Sequence, residues 1–232
     1  DDGIRDSSTS RGLGDVYKRQ LVLQAHLLER ELFIAIWIVI FGLLTMYLLG
    51  FLKFAHDSDL KYISVVGTNW KYSTIQALRA ILKEANIKSN IYTSPHIQRI
   101  NERFIFNDEE ISDSDLSDLL VKVEEVNNGE EITYFEILTA AYFYKAAEYP
   151  SNINLVETGL FHRFDATNIL NQNLASIVTS IGLDHLDWLP KNEQTIEKII
   201  FEKTSSLLNS NIIVAKQSLS LIHISEPTRR RG

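Results

Sequence analysis

The chain has 232 residues, a formal net charge of −7 and an apolar fraction of 45%, ordinary values for a globular protein of one large domain or slightly more. It has six His and no Cys, which excludes thiolate metal sites, disulfides and cysteine catalysis and fits a cytoplasmic protein. The acidic balance argues against broad nucleic-acid binding, which needs basic surface.

Residues 1–20 are polar and rich in Gly and Ser, and residues 218–232 end in Arg-Arg-Arg-Gly. Both ends read as non-native or disordered tails and are set aside from fold reasoning. Residues 21–60 form an apolar helical segment. Within it Leu32–Leu52 carries no charged residue and, at about 20 residues, is long enough to span a bilayer. Trp37 and Tyr47 lie inside the run rather than at its edges, and the first strand follows within about ten residues, so a helix packed on a soluble domain is preferred.

From Leu60 strand and helix patterns alternate. A strand over Tyr62–Val66 meets Gly67-Thr68-Asn69-Trp70-Lys71-Tyr72-Ser73-Thr74, and a helix over Ser73–Ala85 follows. That layout is one of a phosphate-binding loop, with helix amides facing an anion, a lysine as point charge and a hydroxyl able to hold Mg²⁺. Ser89–Tyr92 is a second strand, and Ile97–Phe106 is irregular. Ser112 caps a helix over Asp115–Val126, Asn127-Asn128-Gly129 turns, and Thr133 caps a helix over Tyr134–Tyr149 that ends at Pro150. A third strand, Ile153–Glu157, leads into a loop over Leu160–Asn168. Leu174–Ile181 is a strand, Asn192–Leu208 a helix and Ile212–Ala215 a last strand. Strands separated by helices imply an α/β fold with a mostly parallel sheet, whose ligands sit at strand carboxyl ends.

Four candidate groups fall just after such ends: Lys71 and Ser73, Ser94 and His96, Glu157, and Asp184 with His185. Each has an ordinary structural alternative, a paired carboxylate or a hydrogen-bonded histidine. Their convergence on one rim points to a Mg²⁺–phosphate site, since hard Mg²⁺ takes hydroxyl and carboxylate oxygens.

Further runs accompany the loop: Tyr92-Thr93-Ser94-Pro95-His96, Ile100-Asn101-Glu102-Arg103, Ile132-Thr133-Tyr134-Phe135-Glu136, Glu157-Thr158-Gly159-Leu160 through Arg163-Phe164-Asp165-Ala166-Thr167-Asn168, Thr179-Ser180-Ile181-Gly182-Leu183-Asp184-His185 and Glu202-Lys203. In this order they resemble the folylpolyglutamate synthase/dihydrofolate synthase family of the Mur ligase superfamily, from about Phe41 to Lys216. The resemblance implies a P-loop ATP-binding ligase domain over 61–217, lacking the family's C-terminal domain. It implies an ATP-dependent amide ligase that adds L-glutamate to dihydropteroate or to the γ-carboxyl of a folate through an acyl phosphate. Gly67, Thr68, Asn69, Lys71, Ser73 and Thr74 would bind ATP. Two Mg²⁺ would be held by Ser73, Glu157 and Ser94, and by His185, with Lys203 a ligand once carbamylated. Lys71, His185 and Lys203 would be catalytic, and Thr133, Phe135, Asp165 and Arg163 would contact substrate. A monomer without nucleic-acid or membrane partners is expected, and the chain as it stands is expected to be an inactive fragment.

The sequence departs from the family at Trp70 and Tyr72, where the loop carries glycines, and at Phe161-His162, which replace Gly-Gly. Trp70 would need an unfavourable backbone conformation or would crowd the nucleotide. Two other readings are a generic P-loop NTPase and a decayed, non-catalytic nucleotide-binding module.

Overall fold

The computed structural model describes residues 60–169, 173–207 and 211–217. The two tails and the Leu32–Leu52 run lie outside the described residues. Among those described, no helix is long and apolar enough to cross a membrane.

Seven strands form one sheet: β1 Lys61–Val66, β2 Ser89–Tyr92, β3 Phe104–Phe106, β4 Glu109–Glu110, β5 Ile153–Glu157, β6 Ala175–Val178 and β7 Ile212–Val214. Their order is β4-β3-β2-β5-β1-β6-β7. The five strands from β2 to β7 pair in parallel, while β3 and β4 are antiparallel. The helices are α1 Lys71–Glu84, α2 Asp113–Asn127, α3 Tyr134–Ala146 and α4 Ile196–Thr204.

Apolar residues lie on both faces of β1 and β5, as a covered parallel sheet requires. On one face Val65, Ile75, Ile91 and Leu155 are fully buried, with Leu78 and Leu82 of α1 packed on them. On the other, Tyr92, Phe104 and Phe106 meet Tyr142 and Phe143 of α3, with Leu116, Leu119 and Val123 of α2 behind. Tyr92 stacks on Tyr142 at 5.0 Å and Phe106 on the same ring at 5.5 Å. α3 lies between sheet and α2, so Leu138–Phe143 are buried all round.

The caps read from sequence hold. Ser112 Oγ accepts from the Asp115 amide. Thr133 and Glu136 form a capping box, each side chain accepting from the other residue's backbone. Several boundaries shift. α1 begins at Lys71 rather than Ser73. α3 stops at Ala146, where tight turns from Glu148 and Tyr149 carry the chain to Pro150. α4 starts at Ile196, capped by Thr195, instead of at Asn192. The segment Ile97–Phe106 is not irregular: Ile100–Arg103 is a 3₁₀ turn and Phe104–Phe106 a strand.

The amino ends of β2 and β5 are closed by a buried amide ladder. Asn152 donates to Asn90, Asn90 and Tyr142 both donate to Asn154, and Asn154 donates to the Lys61 carbonyl. The open polar groups stand at the opposite, carboxyl rim.

Candidate functional site

At that rim the chain leaves β1 through Gly67. A Cβ here would lie 1.9 Å from Thr179 Oγ1 and 3.3 Å from the Ser180 carbonyl, so only glycine fits so close to β6. The next two amides are already committed. Thr68 and Asn69 N–H both donate to the Ser180 carbonyl, at 2.9 and 3.3 Å. The Thr68 hydroxyl donates to the Gly182 carbonyl and accepts from the Gly182 amide. These two residues therefore tie the loop to the chain leaving β6.

Trp70 sits in the left-handed region at φ 71°, with 71% of its surface exposed. The strained conformation expected for a tryptophan at a glycine position is adopted, and the ring turns to solvent. The first bond of the α1 ladder is Thr74 N–H to the Trp70 carbonyl, 2.9 Å. The amides of Lys71, Tyr72 and Ser73 lie ahead of that ladder, where a helix can receive an anion.

Two lysines 132 positions apart converge on one acceptor. Lys71 Nζ donates to the Gly67 carbonyl at 3.1 Å, and Lys203 Nζ donates to it at 3.3 Å. Lys203, on α4, also donates to the Leu160 carbonyl at 2.9 Å and faces the Phe161 ring at 5.5 Å. It is 2% exposed; burial, aided by the Lys71 charge, pushes its pKa down to about 8.

Glu157 ends β5 between these cations and β2. Its Oε1 is 3.7 Å from Lys71 Nζ, and its Oε2 accepts from the Ser94 amide at 3.2 Å. Burial raises its pKa, opposed by those donors. Ser94 thus faces Glu157 through its backbone. Ser73 is exposed. His185 Nε2 lies 3.1 Å from Asp184 Oδ2, which occupies the nitrogen a metal would take. Burial, together with the Lys203 and Lys71 charges, lowers the His185 pKa. Among the described residues no three His, Asp or Glu side chains converge on a ready cation site.

The substrate candidates divide. Asp165 is a brace: Oδ2 accepts from the Gly159 and Leu160 amides, Oδ1 from the Thr167 amide and hydroxyl. Thr133 is engaged in its cap. Phe135 packs against Gly159, where a Cβ would meet its ring at 2.9 Å. Arg163 pairs with Glu202 at 3.3 Å and stacks over Phe164 at 4.3 Å. Phe161 and His162 are absorbed without positive φ: Phe161 meets Lys203 and the His185 ring edge-on, and buried His162 bonds Ser206 through Nδ1.

Two residues of the rim carried no assigned role in the sequence. Gln217 accepts from the Ile181 amide and donates to the Thr179 and Ala215 carbonyls, pinning the chain after β6. Arg103 is buried at the β3 end of the rim; the run Ile100–Arg103 was its only signal.

No family model matches the chain. Among curated proteins, the dihydrofolate synthase/folylpolyglutamate synthase of Escherichia coli K12 is 37% identical over 135 residues, covering 57% of this chain and 31% of that protein. The Bacillus subtilis protein of the same name is 38% identical over 154 residues, covering 63% and 35%. Among solved structures, the bifunctional folylpolyglutamate synthase/dihydrofolate synthase of Yersinia pestis complexed with AMPPNP and Mn ion superposes with a TM-score of 0.64 at 27% identity, covering 73% of this chain and 46% of that one. E. coli FolC in complex with DHPP and ADP gives 0.62 at 26%, covering 73% and 45%. The chain spans about a third of the length of these curated relatives.

Proposed function

We propose, from the kinship of this chain with the dihydrofolate synthase/folylpolyglutamate synthase family, that residues 61–217 are the nucleotide-handling unit of an ATP-dependent amide ligase acting in the cytoplasm. The carboxylate of dihydropteroate, or the γ-carboxylate of a folate, takes the γ-phosphoryl group of ATP and releases ADP. The amine of L-glutamate then attacks the acyl phosphate, forming the amide and expelling phosphate. Such a reaction asks the protein for positioning and charge neutralisation.

The observation that carries the reading is the meeting of Lys71 and Lys203 on the Gly67 carbonyl, opposite Glu157. The amides of Lys71, Tyr72 and Ser73 receive phosphate oxygens, and the Lys71 ammonium spans the β and γ groups. The donor chemistry around Glu157 suits Mg²⁺: a buried carboxylate and the Ser73 hydroxyl would hold it through hard oxygen donors, with Ser94 alongside. Bound there, Mg²⁺ supplies Lewis-acid neutralisation of the β and γ phosphates. A second Mg²⁺ would fall to His185, whose Nε2 must first leave Asp184. Lys203 suits carbamylation, in which a neutral amine adds to CO₂ and loses a proton. With a pKa of about 8, roughly a tenth of it is neutral at pH 7. Phe135 and Arg163 flank the carboxylate substrate; Asp165 and Thr133 hold the loop and helix that present them.

Titration of the purified chain with AMPPNP and Mg²⁺ tests this. We expect saturable binding, weakened about tenfold or more by Lys71→Ala; no binding by the parent overturns the reading. The 232-residue chain alone is expected to show little or no phosphate release dependent on ATP, dihydropteroate and glutamate. Phosphate release without a pterin or folate would instead favour a generic NTPase. Trp70 at φ 71° favours one other reading, a decayed nucleotide module. Tight nucleotide binding by the parent removes it; binding only after Trp70→Gly supports it.

A further inference from the structure

Arg103 is 7% exposed. Among the described residues no carboxylate lies within ion-pair distance of it. Its Nε donates to His96 Nδ1 at 3.0 Å, and its guanidinium lies over the Tyr134 ring at 5.7 Å. An imidazole nitrogen and an aromatic face orient the cation without supplying a negative charge. A buried charge without a contacting counter-ion is costly, and an anion arriving from outside would offset that cost.

The position is built with care. Three amides, of Ile97, Gln98 and Arg99, donate to the Glu102 carboxylate at 2.8–2.9 Å. Asn101 Nδ2 donates to the Ile111 carbonyl and to Asp113. These bonds fix the 3₁₀ turn on both sides of Arg103. Tyr92 pairs with Phe104 across β2 and β3, so Arg103 stands at the same rim as Ser94, Glu157 and Gly67. Along the rim the order is Arg103, Ser94, Glu157, then the loop of Lys71, set by β3-β2-β5-β1. Arg103 also hydrogen-bonds the buried Tyr92 hydroxyl, and its charge acts on Glu157.

We infer that Arg103, held by His96 and Tyr134, is the binding group for the carboxylate of the acceptor substrate. This rests on the ligase reading above. Phosphates are served by the α1 amides and Lys71 on one side of Glu157. The guanidinium on the other side presents a planar fork matched to a carboxylate. An acid seated there lies on the side of Glu157 opposite the α1 amides and Lys71.

Binding of pteroate and of its uncharged methyl ester to the full chain, with AMPPNP and Mg²⁺ present, tests the assignment in the parent, Arg103→Lys and Arg103→Gln. The readout is the ratio of acid to ester affinity within each protein, which is independent of how much protein is folded. The parent is expected to prefer the acid by about tenfold or more. Arg103→Gln abolishes the preference and Arg103→Lys keeps part of it, while AMPPNP affinity stays within about twofold of the parent in both. An unchanged ratio in Arg103→Gln, or equal loss of acid and ester, overturns the role of Arg103. A parent that binds AMPPNP but neither pteroate nor the ester overturns the ligase reading itself.

Discussion

Two loops at the rim depart from the glycines of the resembled family, and they respond differently. After β1, Trp70 occupies a backbone conformation at φ 71° that side chains rarely adopt. After β5, Phe161 and His162 take up ordinary φ, and both side chains find partners: Phe161 the lysine of α4, His162 the hydroxyl of Ser206. The second loop is fastened by the four bonds of Asp165, so its path does not depend on the residues replaced. The first is fastened through its backbone, by Gly67 against Thr179 and by two amides on the Ser180 carbonyl. There the shape comes from the backbone itself, and a side chain is carried at a cost of about 1–2 kcal/mol.

Gly67→Ala strikes the backbone-fastened loop directly. With its new Cβ 1.9 Å from Thr179 Oγ1, denaturant unfolding should show a loss of roughly 3 kcal/mol or more. A loss below about 1 kcal/mol would mean that β6 yields easily and that the contrast is false. Asp165→Ala attacks the other loop by freeing the Gly159, Leu160 and Thr167 amides; unfolding should register about 3 kcal/mol, with Asp165→Asn keeping part of it.

His162 tests the second loop by pH. Burial holds its pKa at about 4, against 6.5 for the free group. As pH falls from 6.5 toward 4 the unfolded chain takes up this proton before the folded one, so stability drops through that window and is fully present above 6.5. A decline of roughly 2–3 kcal/mol is expected, flattened in His162→Gln. An identical pH profile in the variant would show that the histidine is not buried neutral.

The smallest effect is that of Trp70→Gly. Relief of the left-handed strain, less the added freedom of glycine in the unfolded chain, leaves a gain of about 0.5–1 kcal/mol in thermal unfolding. Destabilisation instead would show that the exposed indole packs on something it is not seen to touch.

What the sequence made legible was local. A β-favouring run, a glycine, a lysine and a hydroxyl pair specify strand, turn and helix within ten residues, and Thr133 with Glu136 specifies a cap in four. What escaped was set by which strands became neighbours. Lys203 was named only through the resemblance carried by Glu202-Lys203; its reach to Gly67 across 136 positions, like that of Gln217 to Ile181 across 36, has no local pattern. Ile97–Phe106 looked irregular because its polar side chains bond one another around a turn and show no period. The resemblance implied that His185 holds a metal and Asp165 contacts substrate; in the structure their partners are Asp184 and the loop amides of Gly159, Leu160 and Thr167.

Trp70 has a practical consequence as well as an energetic one. The described residues contain two tryptophans, Trp70 and Trp188, both more than two-thirds exposed. Trp70 stands one residue ahead of the amides of Lys71, Tyr72 and Ser73, which lie ahead of the α1 ladder. Its emission should therefore report an arriving anion without any attached dye. Trp37→Phe together with Trp188→Phe would isolate that signal, so the residue that burdens the loop is also its built-in optical probe.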